Sequence, residues 1–299
     1  MTTKNNNQPD YQKSGIITLV GRSNVGKSTL LNTLIGTKVA IVTDKPQTTR
    51  NIIHGVLNTP QGQAVFVDTP GIFKQSNLLA GRLTKRVQEA IKDIDVIIYV
   101  VDPSKSIGAE ERYNLSLIRQ LTVPKIMAIN KSDLPMNEKL YVQDYRELGD
   151  NFSAVFELSA LNNSHVQPLR DKVFELLPEG PALYPPEQMT NIDPKFWIAE
   201  IIREKIFLAL RKEVPYTTHV VVTGIEEKDA KTKNDSGLLI IKATIYTNEP
   251  RYKKMIIGAN GRAIKEIGIA ARKELETALN KKVFLELEVE TDKHWENKI

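Results

Sequence analysis

The chain shows a regular pattern from about residue 15, where short apolar runs alternate with segments whose apolar residues recur every three or four positions. Short apolar runs are typical of buried strands, and the helical spacing is typical of helices that cover a sheet. The predicted strands are Ile16–Val20, Gln63–Val67, Val96–Val101, Lys125–Ile129 and Ala154–Leu158. Predicted helices are Leu78–Ile91, Glu110–Leu121 and Val166–Leu177. This alternation predicts an α/β domain with a mostly parallel, doubly wound sheet.

The pattern changes after residue 178. Prolines then become frequent, at Pro178, Pro181, Pro185, Pro186 and Pro194, which predicts a stiff linker. Beyond it the predicted order is helix, strand, strand, helix, helix, strand, over Pro194–Lys212, Thr217–Glu226, Leu238–Thr247, Arg251–Ile257, Arg262–Leu279 and Val283–Glu290. We therefore expect a flexible leader over residues 1–13, a first domain over 14–178, a linker over 179–194 and a smaller α+β domain over 195–299.

The composition is that of a globular protein, with 41% hydrophobic and 26% charged residues. The absence of cysteine excludes disulfides, thiolate metal sites and cysteine nucleophiles. Neither a signal peptide nor a membrane-spanning apolar run is found, so we expect a cytoplasmic protein. The net charge of +5 points to nucleic acid or a membrane surface as a partner.

The first motif, GRSNVGKS, fits the phosphate-binding pattern G-x-x-x-x-G-K-[ST] between a predicted strand and a predicted helix. Backbone N–H groups of such a loop and the helix N-terminus together favour phosphate. Lys27 is predicted to reach the β- and γ-phosphates, and the Ser28 hydroxyl is predicted to bind Mg²⁺. The residues assigned to the nucleotide here are Gly21, Arg22, Ser23, Asn24, Val25, Gly26, Lys27, Ser28 and Thr29.

A second motif, DTPG, follows the strand that ends at Val67. Asp68 is predicted to hold Mg²⁺, as the acid that ends such a strand does in phosphate-loop enzymes, and the Gly71 N–H is predicted to reach the γ-phosphate. In the polar segment before it, Thr49 is preferred over Thr48 as a further Mg²⁺ ligand. The residues assigned to the nucleotide here are Asp68, Thr69, Pro70, Gly71 and Ile72.

A third motif, NKSD, begins at Asn130 and ends at Asp133. An ionised carboxylate only accepts hydrogen bonds, and guanine offers two adjacent N–H donors where adenine does not. Asp133 is therefore predicted to select GTP over ATP, with the stem of Lys131 along the base. Ser159 and Ala160 end the next strand and would bring a backbone amide to the guanine. The sequence thus predicts a slow, Mg²⁺-dependent GTPase that forms GDP and phosphate.

A loop with the spacing G-x-x-G separates the two helices of the second domain. This loop and the order of elements are typical of type II KH domains, which bind single-stranded nucleic acid. Seven basic residues and one acidic residue lie between Arg251 and Lys273, which favours an RNA phosphate backbone as the ligand. The predicted RNA contacts are Lys253, Lys254, Ile257, Gly258, Ala259, Asn260, Gly261, Arg262 and Lys265.

Together these motifs, with KPQTTRN and the segment Glu213–Tyr216, resemble the Era family of GTPases over about residues 15–290. The resemblance implies binding to the 3′ end of small-subunit ribosomal RNA, a role in assembly of that subunit and loose association with the inner membrane. It implies an apolar Ile72 where Ras-like relatives have glutamine, and a K⁺ ion beside Asn24. The candidate catalytic residues are Lys27, Asn24, Thr49 and Gly71. We expect a monomer.

One departure from the family and three alternatives bear on this interpretation. Ala259 and Asn260 stand where relatives carry at least one basic residue, which predicts weaker RNA binding.

A GTP-dependent tRNA-modifying protein would carry a C-terminal cysteine motif, and a double-GTPase ribosome factor would carry a second phosphate loop; this sequence has neither. The third alternative, a non-enzymatic RNA-binding protein with GTP as a structural ligand, is distinguished by multiple-turnover kinetics.

Overall fold

The computed structural model describes residues 13–43, 53–68, 94–210, 214–228, 237–293 and 295. The chain divides into two compact units, Met1–Asn191 and Ile192–Ile299. Four predictions lie wholly or almost wholly outside the described residues: the leader over residues 1–13, the ligand Thr49, the stretch from Thr69 to Ile72, and the helix Leu78–Ile91.

The first unit contains a six-stranded sheet with the strand order β2-β3-β1-β4-β5-β6. Its strands are β1 (Lys13–Val20), β2 (Ile53–Thr59), β3 (Gly62–Asp68), β4 (Val96–Val101), β5 (Lys125–Ile129) and β6 (Ala154–Glu157). Its described helices are α1 (Lys27–Ile35), α2 (Ala109–Arg119), α3 (Val142–Arg146) and α4 (Val166–Leu176). All pairings are parallel except β2 with β3, which confirms the predicted α/β class. The carboxyl ends of the parallel strands therefore share one edge.

The edge strand β2 was not predicted from the sequence. Its run IHGVLNT contains a glycine and three polar residues, so it lacks the continuous apolar character of a central strand. The glycine has a packing reason, because a Cβ at Gly55 would lie 2.8 Å from the side chain of Ile35 on α1.

The proline-rich segment 179–194 lies in part against β2 and β3 of the first unit. The side-chain oxygen of the buried Gln63 accepts hydrogen bonds from the backbone N–H groups of Leu183 (2.7 Å) and Tyr184 (2.8 Å). The N–H of Val56 on β2 donates to the Met189 carbonyl at 2.8 Å. The first compact unit therefore extends to Asn191, beyond the predicted end of the first domain at residue 178.

The second unit has the predicted order of elements, with helices packed on a small mixed sheet, as expected of the smaller α+β domain. Its elements are α5 (Pro194–Ala209), β7 (Thr218–Lys228), β8 (Leu238–Thr247), α6 (Pro250–Ile257), α7 (Arg262–Leu279) and β9 (Lys282–Thr291). Strands β7 and β8 pair antiparallel, and β8 and β9 pair parallel. Helix α7 buries Ile267, Ala271 and Leu275 at helical spacing, which packs one face of it in the core.

Trp295, near the end of the chain, is buried at 1% exposure. Its ring stacks on that of His219 of β7, with centroids 5.8 Å apart and planes 9° apart. This contact between the buried Trp295 and the half-buried His219 stabilises the packing of the chain beside the first strand of this unit.

Candidate functional site

The phosphate-loop motif forms the connection between β1 and α1 in the first unit. Asn24 and Gly26 have φ angles of 62° and 99°, in the left-handed region. A Cβ at Gly26 would lie 2.2 Å from the side-chain nitrogen of Asn130, and one at Gly21 would lie 2.3 Å from the Val100 carbonyl oxygen. Both glycines are thus required for the loop to pass close to the ends of β4 and β5.

Lys27 begins α1 and is almost fully buried, with 7% exposure. Its Nζ donates hydrogen bonds to the backbone carbonyls of Gly21 at 3.0 Å and Arg22 at 2.7 Å. Burial lowers the pKa of Lys27, and the negative charges of Asp68 and Glu111 act in the opposite direction. A poorly solvated ammonium group therefore lies inside the loop, where an anionic ligand would stabilise its charged form.

Ser28 and Asp68 meet beside Lys27, although they are far apart in the sequence. The Ser28 Oγ donates to Asp68 Oδ2 at 2.6 Å, and Asp68 is buried at the end of β3. Parallel pairing of β1 with β3 brings them together, since Asp68 pairs with Leu19 in the register. A hydroxyl and a carboxylate are the oxygen ligands that Mg²⁺ prefers, so the donor set fits this ion.

Asn130 connects the phosphate loop to the loop that follows β6. Its Nδ2 donates to the Val25 carbonyl at 2.8 Å, and its Oδ1 accepts from the Ala160 N–H at 2.9 Å. The side chain is buried at 3% exposure, so both bonds are shielded from water. One buried amide therefore fixes the distance between the candidate phosphate and guanine regions.

The carboxylate of Asp133 is held at the same edge of the sheet. Its Oδ1 accepts a hydrogen bond from the Ser159 hydroxyl, while the residue itself is exposed. The Ser159 oxygen also accepts the N–H of Asn162 at 3.2 Å. Asp133 is thus oriented on one side and accessible on the other, as recognition of a base edge requires.

Sequence reasoning missed the partner of Lys131. The Lys131 Nζ lies 2.6 Å from Oδ2 of Asp102, a buried residue directly after β4. Burial raises the pKa of Asp102, but hydrogen bonds from Lys131 and Ser104 outweigh it and leave the pKa below its usual value. The sequence did contain an indication of Asp102, because this aspartate directly follows an apolar strand, which is the pattern from which Asp68 was predicted.

The structure thus brings together at one edge of the sheet the described residues of the four predicted nucleotide segments. Residues 21–29, Asp68, the NKSD motif and Ser159–Ala160 all follow carboxyl ends of neighbouring parallel strands. Ligands of open parallel sheets bind at this edge. The Arg22 guanidinium has a further role that the sequence did not indicate, because it forms an ion pair with the buried Glu111 of α2.

The G-x-x-G loop of the second unit is a tight turn between α6 and α7. Gly258, Asn260 and Gly261 have φ angles of 73°, 52° and 75°. A Cβ at Gly258 would lie 2.7 Å from Cβ of Ala263, so only glycine fits where the chain passes the start of α7. The predicted residues Ile257 to Arg262 therefore form one compact loop with Ala259 and Asn260 at its turn.

A groove of about 320 Å³ lies between α7 and the edge strand β9. Lys265 and Arg272 line it with the apolar residues Ile264, Ile269, Phe284 and Leu287. Only Lys265 of these was predicted. The signal in the sequence was a large apolar residue at an outward-facing position of each amphipathic element, and in the structure these residues, Ile269 and Phe284, are 48% and 55% exposed. Apolar walls with cations at the rim are suited to bases and phosphates.

Two of the seven basic residues counted over residues 251–273 have acidic partners. Arg251 lies 2.7 Å from Glu249, and Arg262 lies 3.0 Å from Glu266. Both pairs are exposed, so each contributes little to stability and can be exchanged for a phosphate. The positive charge of this surface is nevertheless smaller than the count over residues 251–273 indicated.

Two family models match the chain, one in each unit. A model described as "50S ribosome-binding GTPase" matches residues 16–131. A KH domain model matches residues 213–296. The two predicted domain types are thereby confirmed.

Curated relatives match almost the whole chain. The GTPase Era of Halothermothrix orenii is 41% identical over 287 residues, which cover 96% of this chain and 95% of the relative. The GTPase Era of Carboxydothermus hydrogenoformans is 42% identical over 287 residues, with the same coverage.

Solved structures give the same result. A single-residue variant of Aquifex aeolicus Era bound to GDP and AlF4⁻ matches with a TM-score of 0.85 and 34% identity, over 95% of both chains. A structure of Era with MgGDPNP and nucleotides 1506–1542 of 16S ribosomal RNA matches with the same score, identity and coverage. Two domain models, two full-length relatives and two full-length structures agree, and the chain belongs to the Era family of GTPases.

Proposed function

We propose that this GTPase binds the 3′ region of small-subunit ribosomal RNA through its second unit and acts in assembly of that subunit. The observation that carries the proposal is the groove between α7 and β9, which joins apolar walls to Lys265 and Arg272. A relative of the same fold over 95% of the chain was solved with nucleotides of 16S ribosomal RNA. The family model named for the 50S subunit covers only the first unit.

In the first unit we assign the nucleotide contacts predicted from the sequence. The loop Gly21–Thr29 would bind the phosphates, and the Lys27 ammonium group, held by the carbonyls of Gly21 and Arg22, would donate its third N–H to them. Asp133 would accept two N–H groups of guanine, and the stem of Lys131, held by Asp102, would lie along the base.

Ser28 and Asp68 would hold Mg²⁺, with Thr49 as the third protein ligand. Support comes from the 2.6 Å contact between the Ser28 and Asp68 oxygens and from MgGDPNP in a solved relative. When bound, Mg²⁺ supplies positive charge to the β- and γ-phosphate oxygens. The backbone N–H of Gly71 is assigned to the γ-phosphate, which would place a donor where negative charge develops.

The RNA proposal predicts that removing the two groove cations weakens RNA binding. We expect the double variant Lys265→Gln/Arg272→Gln to lower the affinity for RNA by about tenfold. The slope of log K against log[salt] should fall in magnitude by roughly one to two, because fewer counterions are released from the RNA when fewer phosphates are neutralised. Fluorescence anisotropy with a 37-nucleotide RNA corresponding to nucleotides 1506–1542 of 16S ribosomal RNA measures both quantities.

The matched control is Lys242→Gln. Lys242 is exposed on β8 between the inward-facing Ile241 and Ala243, so its side chain lies on the sheet face away from the helices. A large-subunit RNA of equal length tests the choice of subunit. Equal affinity for both RNAs would contradict the small-subunit proposal, and equal losses in the groove and control variants would contradict the groove as the RNA site.

A second proposal concerns K⁺. Asn24 adopts a left-handed conformation in the phosphate loop, and a K⁺ ion beside it would add positive charge near the transferred phosphoryl group. We expect GTP turnover in K⁺ to exceed that in Na⁺ by at least about tenfold, a fraction of the roughly 10³- to 10⁵-fold effect of an arginine finger. Steady-state phosphate release at equal ionic strength measures this, and equal rates would exclude the proposal.

Three further predictions stay predictions: a cytoplasmic location, peripheral association with the inner membrane and a monomeric state. No helix among the described residues is both long enough and apolar enough to cross a membrane. Association at a membrane surface would depend on the basic residues around α6 and α7.

A further inference from the structure

A cluster of ionisable side chains lies beneath the phosphate loop. Arg22, the first variable residue of the loop, is paired through its Nε with Glu111 of α2. The Glu111 side chain is fully buried, and that of Arg22 is 15% exposed. Most loop residues of the motif contact the ligand through backbone N–H groups. The Arg22 side chain is therefore not needed for phosphate binding and can form contacts elsewhere in the protein.

Two tyrosines complete the cluster. The Tyr99 hydroxyl of β4 donates to the second carboxylate oxygen of Glu111. Arg22 Nη2 lies 3.4 Å from the Tyr145 hydroxyl oxygen, and Arg22 Nη1 lies 3.4 Å from the Ser106 carbonyl oxygen. The Tyr145 hydroxyl in turn donates to the Lys105 carbonyl at 3.1 Å. The loop is therefore connected to β4, α2 and α3 through one buried polar network.

The energetics of this network depend on both charged partners. Burial raises the pKa of Glu111, whereas the hydrogen bond from Tyr99 and the charge of Arg22 favour its ionised form. Removing one member of a buried ion pair leaves an uncompensated charge, while replacing both members by groups of similar volume is often neutral for stability. Stability and loop geometry can therefore be separated experimentally.

The network also reaches Lys27. The backbone carbonyl of Arg22 accepts a hydrogen bond from Lys27 Nζ at 2.7 Å, and the charge of Glu111 stabilises the ammonium group. When the Arg22 backbone is fixed, the position of one of the two carbonyls that accept hydrogen bonds from Lys27 is fixed as well. We infer that Glu111 is a positioning residue, which anchors Arg22 and so keeps the loop and Lys27 in the conformation that binds phosphate.

This inference rests on the proposed phosphate site, which a Lys27 substitution tests separately. We expect Glu111→Gln and Arg22→Met each to raise the Kd for GDP by about tenfold, because small displacements of ligand-binding groups have effects of at least this size. Each variant should also unfold at a lower temperature than the wild type, since each leaves a buried polar group without its partner. Mant-GDP titration and thermal unfolding of the full chain provide both numbers.

The deciding variant is Arg22→Met/Glu111→Gln. If Glu111 positions the loop, the double variant regains thermal stability but keeps the raised Kd. If stability and affinity both return to the wild-type values, or if the single variants bind GDP normally, the inference is wrong. Glu110→Gln is the matched control, because it makes the same charge change one residue earlier on α2 and should leave the Kd unchanged.

Discussion

Replacing Lys27 with methionine should lower kcat for GTP hydrolysis by about 10²- to 10³-fold, the loss typical of removing one preorganised donor to developing charge. Methionine preserves most of the length and apolar character of the stem, so the main change is the loss of the ammonium group. That group is buried in the loop and, among the described residues, donates two hydrogen bonds, to the carbonyls of Gly21 and Arg22, which leaves its third N–H available to phosphate oxygens. Phosphate release at saturating GTP and Mg²⁺ measures the effect.

The control for this prediction is Lys105→Met, which removes a positive charge from an exposed position of the same unit. It should leave kcat within about twofold of the wild type, since exposed charges are strongly screened. Circular dichroism of both variants establishes that they are folded. A Lys27→Met protein that turns over GTP at the wild-type rate would show that the loop is not the phosphate site.

The second large effect is expected from Asp133→Asn, which should raise the Kd for GDP by about 10²- to 10⁴-fold. The range follows from two hydrogen bonds to a charged group, each worth about 1.5–3 kcal/mol. An amide retains one acceptor but adds a donor that faces the amino group of guanine. Xanthine has a carbonyl at that position, so the variant should bind XDP more tightly than GDP.

Competition of XDP and GDP against a fluorescent nucleotide tests this exchange of specificity. Ser159→Ala is the matched control, because it removes the hydroxyl that donates to Asp133 and leaves the carboxylate in place. We expect it to raise the Kd for GDP by no more than about tenfold, the value of a single hydrogen bond. Unchanged preference for GDP in Asp133→Asn would place guanine recognition elsewhere.

Much of the fold follows from local patterns in the sequence. Strands β4 and β5 are continuous apolar runs, and α7 carries its core residues at helical spacing, so each is evident from its own residues. Strand β2 was missed because an edge strand with one covered face needs no continuous apolar run, and its Gly55 is explained only by the nearby Ile35.

The candidate site divides in the same way. Lys27, Ser28, Asp68 and Asp133 were predicted because each stands at a fixed place in a short motif after a strand. Asp102 and Glu111 were not predicted, since their partners Lys131 and Arg22 lie far from them in the chain. The groove beside β9 was missed for the same reason, because Arg272 and Phe284 become neighbours only when α7 packs on the sheet.

The sequence by itself determined the two domain types, the order of the nucleotide motifs and the preference for guanine, because these depend on residue identity at short spacing. Tertiary structure alone decided that Gln63 holds residues 183–184 against the sheet, that Asp102 holds Lys131 and that Glu111 holds Arg22. These pairs have no local signature, since a single carboxylate or amide on an amphipathic element has the same pattern as a solvated one. Burial, which the fold creates, turns each of them into a positioning contact.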